Sequence, residues 1–246
     1  MPRCARRLGD KGYLHVIARG NGQQIIFEDD QDYYFYIKLI SRNSKELDIT
    51  ICSYCLMSNH VHMLIYYSEH DNVAEFMKKI GIRYSYYYNK KYDRTGHLFQ
   101  GRYKSELVDS EEYFLSVNRY ILQNPLKAGI STVRNYPWSS YNIYDRKNSF
   151  VDASLFIDLL GGHDRYLEYV NATNEDVCME YCYEKRSDKW AIDKMKSLLN
   201  VESGNELRMF SKEARDKAIR ALKSEGLSVR QIARLTGIGR GTIQKA

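Results

Sequence analysis

The chain has 246 residues, 43% of them hydrophobic and 28% charged, enough for one or two domains with a real core. No apolar run approaches the ~18 residues of a membrane span, and no apolar segment follows the basic start Met1-Pro2-Arg3-Cys4-Ala5-Arg6-Arg7, which argues against a helical membrane protein and a secretory leader. Five cysteines, an odd number, argue for a reducing cytoplasm, and a net charge of +6 favours an anionic partner.

Tyr13–Arg19 alternates and predicts a first strand, with His15, Ile17 and Arg19 on one face. Gly20-Asn21-Gly22 is a turn. Asp29 to Glu46 reads as a helix with Tyr33, Tyr36, Ile37 and Ile40 inward. Asp48 to Met57 is a second strand, linked by a tight Ser58-Asn59 connection to a third. Cys52 and Cys55 lie three apart on that second strand, hence on opposite faces, so a shared zinc is not expected. Asn72 caps a second helix running to about Asn89. Leu98 to Val108 contains a fourth strand, with Gly101 as a bulge. A third helix, capped by Asp109 or Ser110, carries the stripe Phe114, Val117, Ile121 and ends before Pro125. The order β-α-β-β-α-β-α predicts an α+β fold, a ferredoxin-like βαββαβ sandwich with an added helix and the third strand mid-sheet.

Lys127 to Tyr144 is less regular and contains Pro137-Trp138. Phe150–Asn171 and Asn174–Val201 read as helices, broken at Gly161-Gly162, with Cys178 and Cys182 a reduced pair one turn apart. From Ser211 a separate all-α module begins. Ala214–Glu225 is one helix, and Ala233, Gly237 and Ile243 hold the relative positions of the small, turn and locking residues of a helix-turn-helix. Three regions are expected: 1–145 for the α+β domain, 146–205 as a helical connector, and 206–246 for the helix-turn-helix.

The chemistry concentrates in two stretches. In Ser58-Asn59-His60-Val61-His62-Met63-Leu64-Ile65-Tyr66-Tyr67 the strand period puts His60 and His62 on one face, and Val61, Met63 and Ile65 on the other. Two neutral imidazoles on one face can chelate a divalent metal, and two histidines on a solvated sheet face would give the same pattern. In the third helix, Tyr120 and Asn124 are i, i+4 and lie one above the other. A half-buried packing tyrosine with a C-capping asparagine would also fit. Lys78 to Lys104 holds eight basic residues against one acid, Asp93, with six tyrosines interleaved. Positive charge that tracks phosphates and aromatic faces that stack bases make this a candidate single-strand surface.

Together these blocks resemble the HUH superfamily of single-strand DNA endonucleases. More narrowly, the chain resembles the single-tyrosine transposases of small insertion sequences, and above all the REP-associated tyrosine transposases. The resemblance rests on His15-Val16-Ile17-Ala18-Arg19-Gly20-Asn21, Met57 to His62, His97-Leu98-Phe99-Gln100-Gly101-Arg102-Tyr103-Lys104, Arg119 to Pro125 and Pro137-Trp138-Ser139-Ser140-Tyr141. It implies a metal-dependent strand transferase on single-stranded or hairpin DNA. Tyr120 would be the nucleophile, with Tyr113 as the rival. His60, His62 and Asn124 would bind Mg²⁺ or Mn²⁺. His15 and His97 are further candidate ligands, each with a packing or phosphate-contact alternative. DNA contacts are expected from Arg83, Lys90, Lys91, Arg94, Arg102, Lys104 and Arg119, and from Arg234 and Arg240 in the C-terminal module. The alternatives are a non-catalytic DNA-binding regulator and a relaxase or replication-initiator nickase. The expected setting is the cytoplasm, at the nucleoid, with no membrane partner and a homodimer as one option for assembly.

Overall fold

Four strands, β1 (Gly12–Arg19), β2 (Ile49–Met57), β3 (His60–Tyr67) and β4 (Lys104–Val108), form one antiparallel sheet in the order β2-β3-β1-β4. The computed structural model describes residues 11–143, 149–176, 178–179, 188–201 and 203–246. The described residues divide into two units, one within 7–181 and one within 182–246.

The strand alternation sorts β1 and β3 onto two cores. Leu14, Val16, Ala18, Val61, Met63 and Ile65 pack with α1 (Asp30–Glu46) and α2 (His70–Lys91). On the opposite face Leu64, Cys55 and Met57 pack with α3 (Glu111–Lys127) and then with α4 (Ser154–Leu160) and α5 (His163–Asn171). β3 sits between β2 and β1, as expected, so both of its edges are hydrogen-bonded. The Pro137-Trp138 segment seals the outer edge of β2. Leu56 N–H donates to Trp138 O at 2.9 Å, and the Trp138 ring stacks on Tyr33 with centroids 4.3 Å apart.

Four sequence expectations are corrected. Cys52 and Cys55 face the same core, because a bulge between Ile51 and Ser53 inserts one residue and resets the alternation. The second helix starts at His70 behind Glu69, which leaves Asn72 inside its first turn. α3 runs through Pro125 to Lys127, because a proline near the helix end removes only one intrahelical donor while the flanking turn still closes. Among the described residues of 174–201 the helix is α6 (Asp188–Leu199). Residues 174–176 are irregular, and Cys182 lies outside the described residues.

The unit within 182–246 holds α6, α7 (Lys212–Ser224), α8 (Val229–Thr236) and α9 (Arg240–Lys245) around Leu207, Ile219, Leu222, Ile232, Ile238 and Ile243. Gly237 turns the chain between α8 and α9 at φ +65°, where a Cβ would collide with the Arg208 guanidinium. That guanidinium donates to Thr236 O at 2.9 Å and Gly237 O at 2.6 Å, so it caps the turn.

Candidate active site

His60 and His62 leave β3 on the face covered by α3, and each ring is held by its Nδ1. His60 Nδ1 lies 2.6 Å from Asn59 Oδ1, while the Asn59 amide nitrogen donates to Gln23 O at 3.4 Å. An amide oxygen only accepts, so His60 donates from Nδ1, and in the neutral ring the lone pair then lies on Nε2. His62 Nδ1 lies 3.0 Å from His15 Nε2 on β1. The two rings are buried and stacked, with centroids 5.3 Å apart. Burial pushes the His15 pKa down to about 3. It also takes His62 well below the ordinary histidine range, helped by repulsion from His15, His60 and Arg19.

α3 faces this pair. Its first turn is capped by Ser110 Oγ, which accepts from Tyr113 N–H at 3.2 Å. Tyr120 is buried, with its ring centroid 5.8 Å from that of His62 and 6.1 Å from that of His15. Asn124 donates from Nδ2 to Tyr120 O at 2.9 Å, so its amide nitrogen is occupied by the helix and its carbonyl oxygen is the acceptor end. A cleft of about 230 Å³ opens between strand and helix, lined by Arg19, His60, His62, Tyr120, Asn124 and Lys127. The four residues that sequence reasoning pairs across sixty positions thus share one cavity. That reasoning misses Arg19 and Lys127 as members of the site. Arg19 is readable from the strand period that aligns it with His15, whereas Lys127 lies beyond the expected helix end.

Residues 10–124 match the family model described as Transposase IS200 like. This part of the chain is an IS200-like transposase domain. The match spans the whole sheet and ends on Asn124. A solved REP-associated tyrosine transposase bound to a REP hairpin is similar in fold, with a TM-score of 0.51 and 16% identity over 63% of this chain and 96% of its own. A candidate transposase from Deinococcus radiodurans R1 gives a TM-score of 0.35 and 15% identity over 48% of this chain and 95% of its own. No curated protein matches the chain.

The transposase family implies a divalent metal. Among the described residues no group of three or more His, Cys, Asp or Glu side chains is placed to hold one. The cleft of the IS200-like domain offers two imidazoles and an amide oxygen instead. The set fits a cation in its chemistry: His62 is held neutral, His60 keeps a lone pair on Nε2, and Asn124 has its carbonyl oxygen to give.

The remaining predicted residues scatter. Tyr113 Oη hydrogen-bonds Glu106 outside the cleft, and burial together with that carboxylate raises its pKa, so its phenolate is disfavoured. His97 is exposed and away from the cleft lining. Arg83 and Lys90 are exposed and line a groove between α1 and α2, on the far side of the sheet. Lys91 is bound to Asp29 and the buried Asp32, and Arg94 donates to Gln24 at 2.6 Å. Tyr84 and Tyr88 are core residues, while Tyr86 is 71% exposed. The basic, tyrosine-rich run therefore divides: Tyr84 and Tyr88 are core, Lys91 and Arg94 are tied to the fold, and Lys78, Arg83, Tyr86, Lys90 and Arg102 remain exposed. Arg102 is exposed and shares a small pocket with Arg19, and Lys104 lies on β4 opposite Ile17. Arg119 is paired with Asp176, and Arg234 with Asp188. Arg240 is exposed on α9.

Proposed function

We propose that the chain is a metal-dependent single-strand DNA transesterase that cleaves and rejoins hairpin-associated DNA. The observation that carries this reading is the shared cleft of His60, His62, Tyr120 and Asn124. The sheet order and the βαββαβ succession support a ferredoxin-like platform with α3 as its added helix. The similar REP-associated transposase was solved bound to a REP hairpin, which supports hairpin DNA as the substrate class.

In this reading His60, His62 and Asn124 hold Mg²⁺ or Mn²⁺. When bound, the ion offsets the charge that grows on the scissile phosphate. Tyr120 Oη attacks phosphorus and loses its proton, the bond to the 3′ oxygen breaks, and that oxygen takes a proton to leave as a 3′-OH. The product is a 5′-phosphotyrosine, and attack by a 3′-OH reverses the step on a new strand. His15 and Asn59 orient the two imidazoles, and Asn124 is steadied by its bond to the helix backbone.

A second DNA contact in the C-terminal unit is favoured by α8, the Gly237 turn and α9, whose Arg240, Thr242, Gln244 and Lys245 are exposed while Ile243 is buried. We read this as a helix-turn-helix that selects duplex DNA. A regulator without catalysis would keep that contact and lose the first.

The two are separated by incubating the chain with hairpin-bearing single-stranded oligonucleotides and Mg²⁺ or Mn²⁺, then denaturing. A covalent adduct forms with the parent chain and with Tyr113→Phe, and none forms with Tyr120→Phe although binding is retained. Adduct loss in Tyr113→Phe alone would reassign the nucleophile.

A further inference from the structure

We infer that Lys127 is the cation that meets the scissile phosphate, and that residues 172–176 form a strap holding it in place. The inference rests on the reading of Tyr120 as nucleophile. Lys127 lies on the last turn of α3, beyond Pro125, and lines the same cleft as Tyr120 and Asn124. Its ammonium sits 4.6 Å from the centroid of the Tyr120 ring. A phosphate oxygen attached to the phosphorus under attack by Tyr120 would fall within reach of that ammonium.

Lys127 is held by a carbonyl and not by a carboxylate: Nζ donates to Asp176 O at 3.1 Å. The Asp176 carboxylate is taken by Arg119 instead, through Nε at 2.7 Å and Nη2 at 2.8 Å. Gln123 fastens the same segment by donating to Val170 O at 2.6 Å and Ala172 O at 2.9 Å, and it accepts from Asn174 Nδ2 at 2.6 Å. Arg119, Gln123 and Lys127 are four residues apart, so one stripe of α3 grips the strap while the adjacent stripe presents Tyr120 and Asn124.

This wiring commits a bidentate carboxylate to Arg119 and leaves the ammonium charge uncancelled at the cleft. Among the described residues no carboxylate forms a salt bridge with Lys127, and the cleft lining contains Arg19 and Lys127 but no acid. An ammonium with no carboxylate partner at the cleft can meet an incoming anion without first breaking an ion pair. A phosphodiester is the anion of the proposed reaction.

The test uses the full chain and the oligonucleotide on which the adduct assay maps a cleaved phosphate. Under single-turnover conditions Lys127→Met slows adduct formation by about 100-fold, the size typical for removing one group aimed at developing charge. The Kd for the oligonucleotide and the Tm stay unchanged, and Lys127→Arg recovers most of the rate. The same oligonucleotide is then made with a neutral methylphosphonate at the mapped position. If Lys127 acts on that phosphate's charge, the rates of the parent chain and Lys127→Met converge on this substrate. Asp176→Ala, which frees Arg119 and loosens the strap, gives a smaller loss that also vanishes on the methylphosphonate. A Lys127→Met rate equal to the parent rate on the normal phosphate overturns the inference. So does a deficit of the same size on the methylphosphonate. Both outcomes leave Tyr120 in place as nucleophile if Tyr120→Phe forms no adduct. An adduct in Tyr120→Phe sinks the parent reading, and this inference with it.

Discussion

His15 Nε2 and His62 Nδ1 lie 3.0 Å apart across two neighbouring strands, with both rings buried. Sequence alone leaves His15 as a rival ligand or a packing residue. In the fold it stands behind His62, where it fixes which way that imidazole faces. A ligand at His62 Nε2 requires the proton on Nδ1, so His15 must accept. His15→Leu removes the acceptor, and Mn²⁺ affinity in the presence of the DNA hairpin is expected to fall ~10–100-fold. His15→Gln, which can accept through Oε1, is expected to lose less. Electron paramagnetic resonance titration reads the affinity directly. Equal affinity in all three chains would leave His15 as core packing only.

The same pair sets an acid limit on the fold. Burial takes His15 from 6.5 down to about 3, and His62 is also lowered. The unfolded chain then binds protons that the folded chain does not, so stability rises with pH across this window. Denaturant midpoints of the metal-free protein should be level above neutrality and fall as the pH drops from 6.5 toward 3. His15→Phe should show a shallower fall. An identical slope in the two chains would mean that His15 is not held neutral.

Lys91 and Arg102 separate structural charge from binding charge. Lys91 Nζ lies 2.8 Å from Asp32, whose side chain is fully buried and is also bonded by Tyr87 and Tyr92. Lys91→Met leaves that carboxylate short of its cation and should cost about 3 kcal/mol of stability. Its DNA affinity should keep the parent salt dependence. Arg102 is exposed beside Arg19. Replacing Arg102 and Lys104 together by alanine should flatten the log–log salt slope by roughly 0.7 for each phosphate no longer neutralised. A slope change in Lys91→Met alone would place the DNA on the α2 face.

Asn124 tests the cation set. A neutral ligand trio binds Mg²⁺ weakly, because that ion sheds water reluctantly and shares phosphate oxygens. Asn124→Asp should raise Mn²⁺ affinity measured without DNA, while His62→Ala should abolish cleavage. A chelator should stop cleavage and spare much of the single-strand binding. Full cleavage in excess chelator would leave only a tyrosine on a basic surface.

Much of the site is legible in the sequence because both of its halves obey a strict period. Two residues apart on β3 fixes His60 and His62 to one face, and four apart on α3 stacks Tyr120 under Asn124. What escapes depends on exceptions to period. The bulge at Cys52 reverses an alternation that no residue type announces. Pro125 reads as a stop, although near a helix end its missing donor leaves the last turn intact, and Lys127 is lost from view with that turn. The basic run is only partly legible, for a different reason. Charge content does not reveal partners, and Asp29, Asp32 and Gln24, some sixty to seventy positions away in sequence, absorb Lys91 and Arg94. The His15–His62 bond is hidden because register between β1 and β3 is set by the sheet and not by either segment alone.

β3 carries both histidines and is hydrogen-bonded along both edges, with a helical layer packed on each face. Its amides should be among the last in the chain to exchange with deuterium, since local opening favours edges and thin cover. The two histidines therefore sit on one of the best-protected elements of their unit. Gentle heating should loosen peripheral segments while the imidazole geometry survives, so that the two histidines are displaced only when the core itself melts.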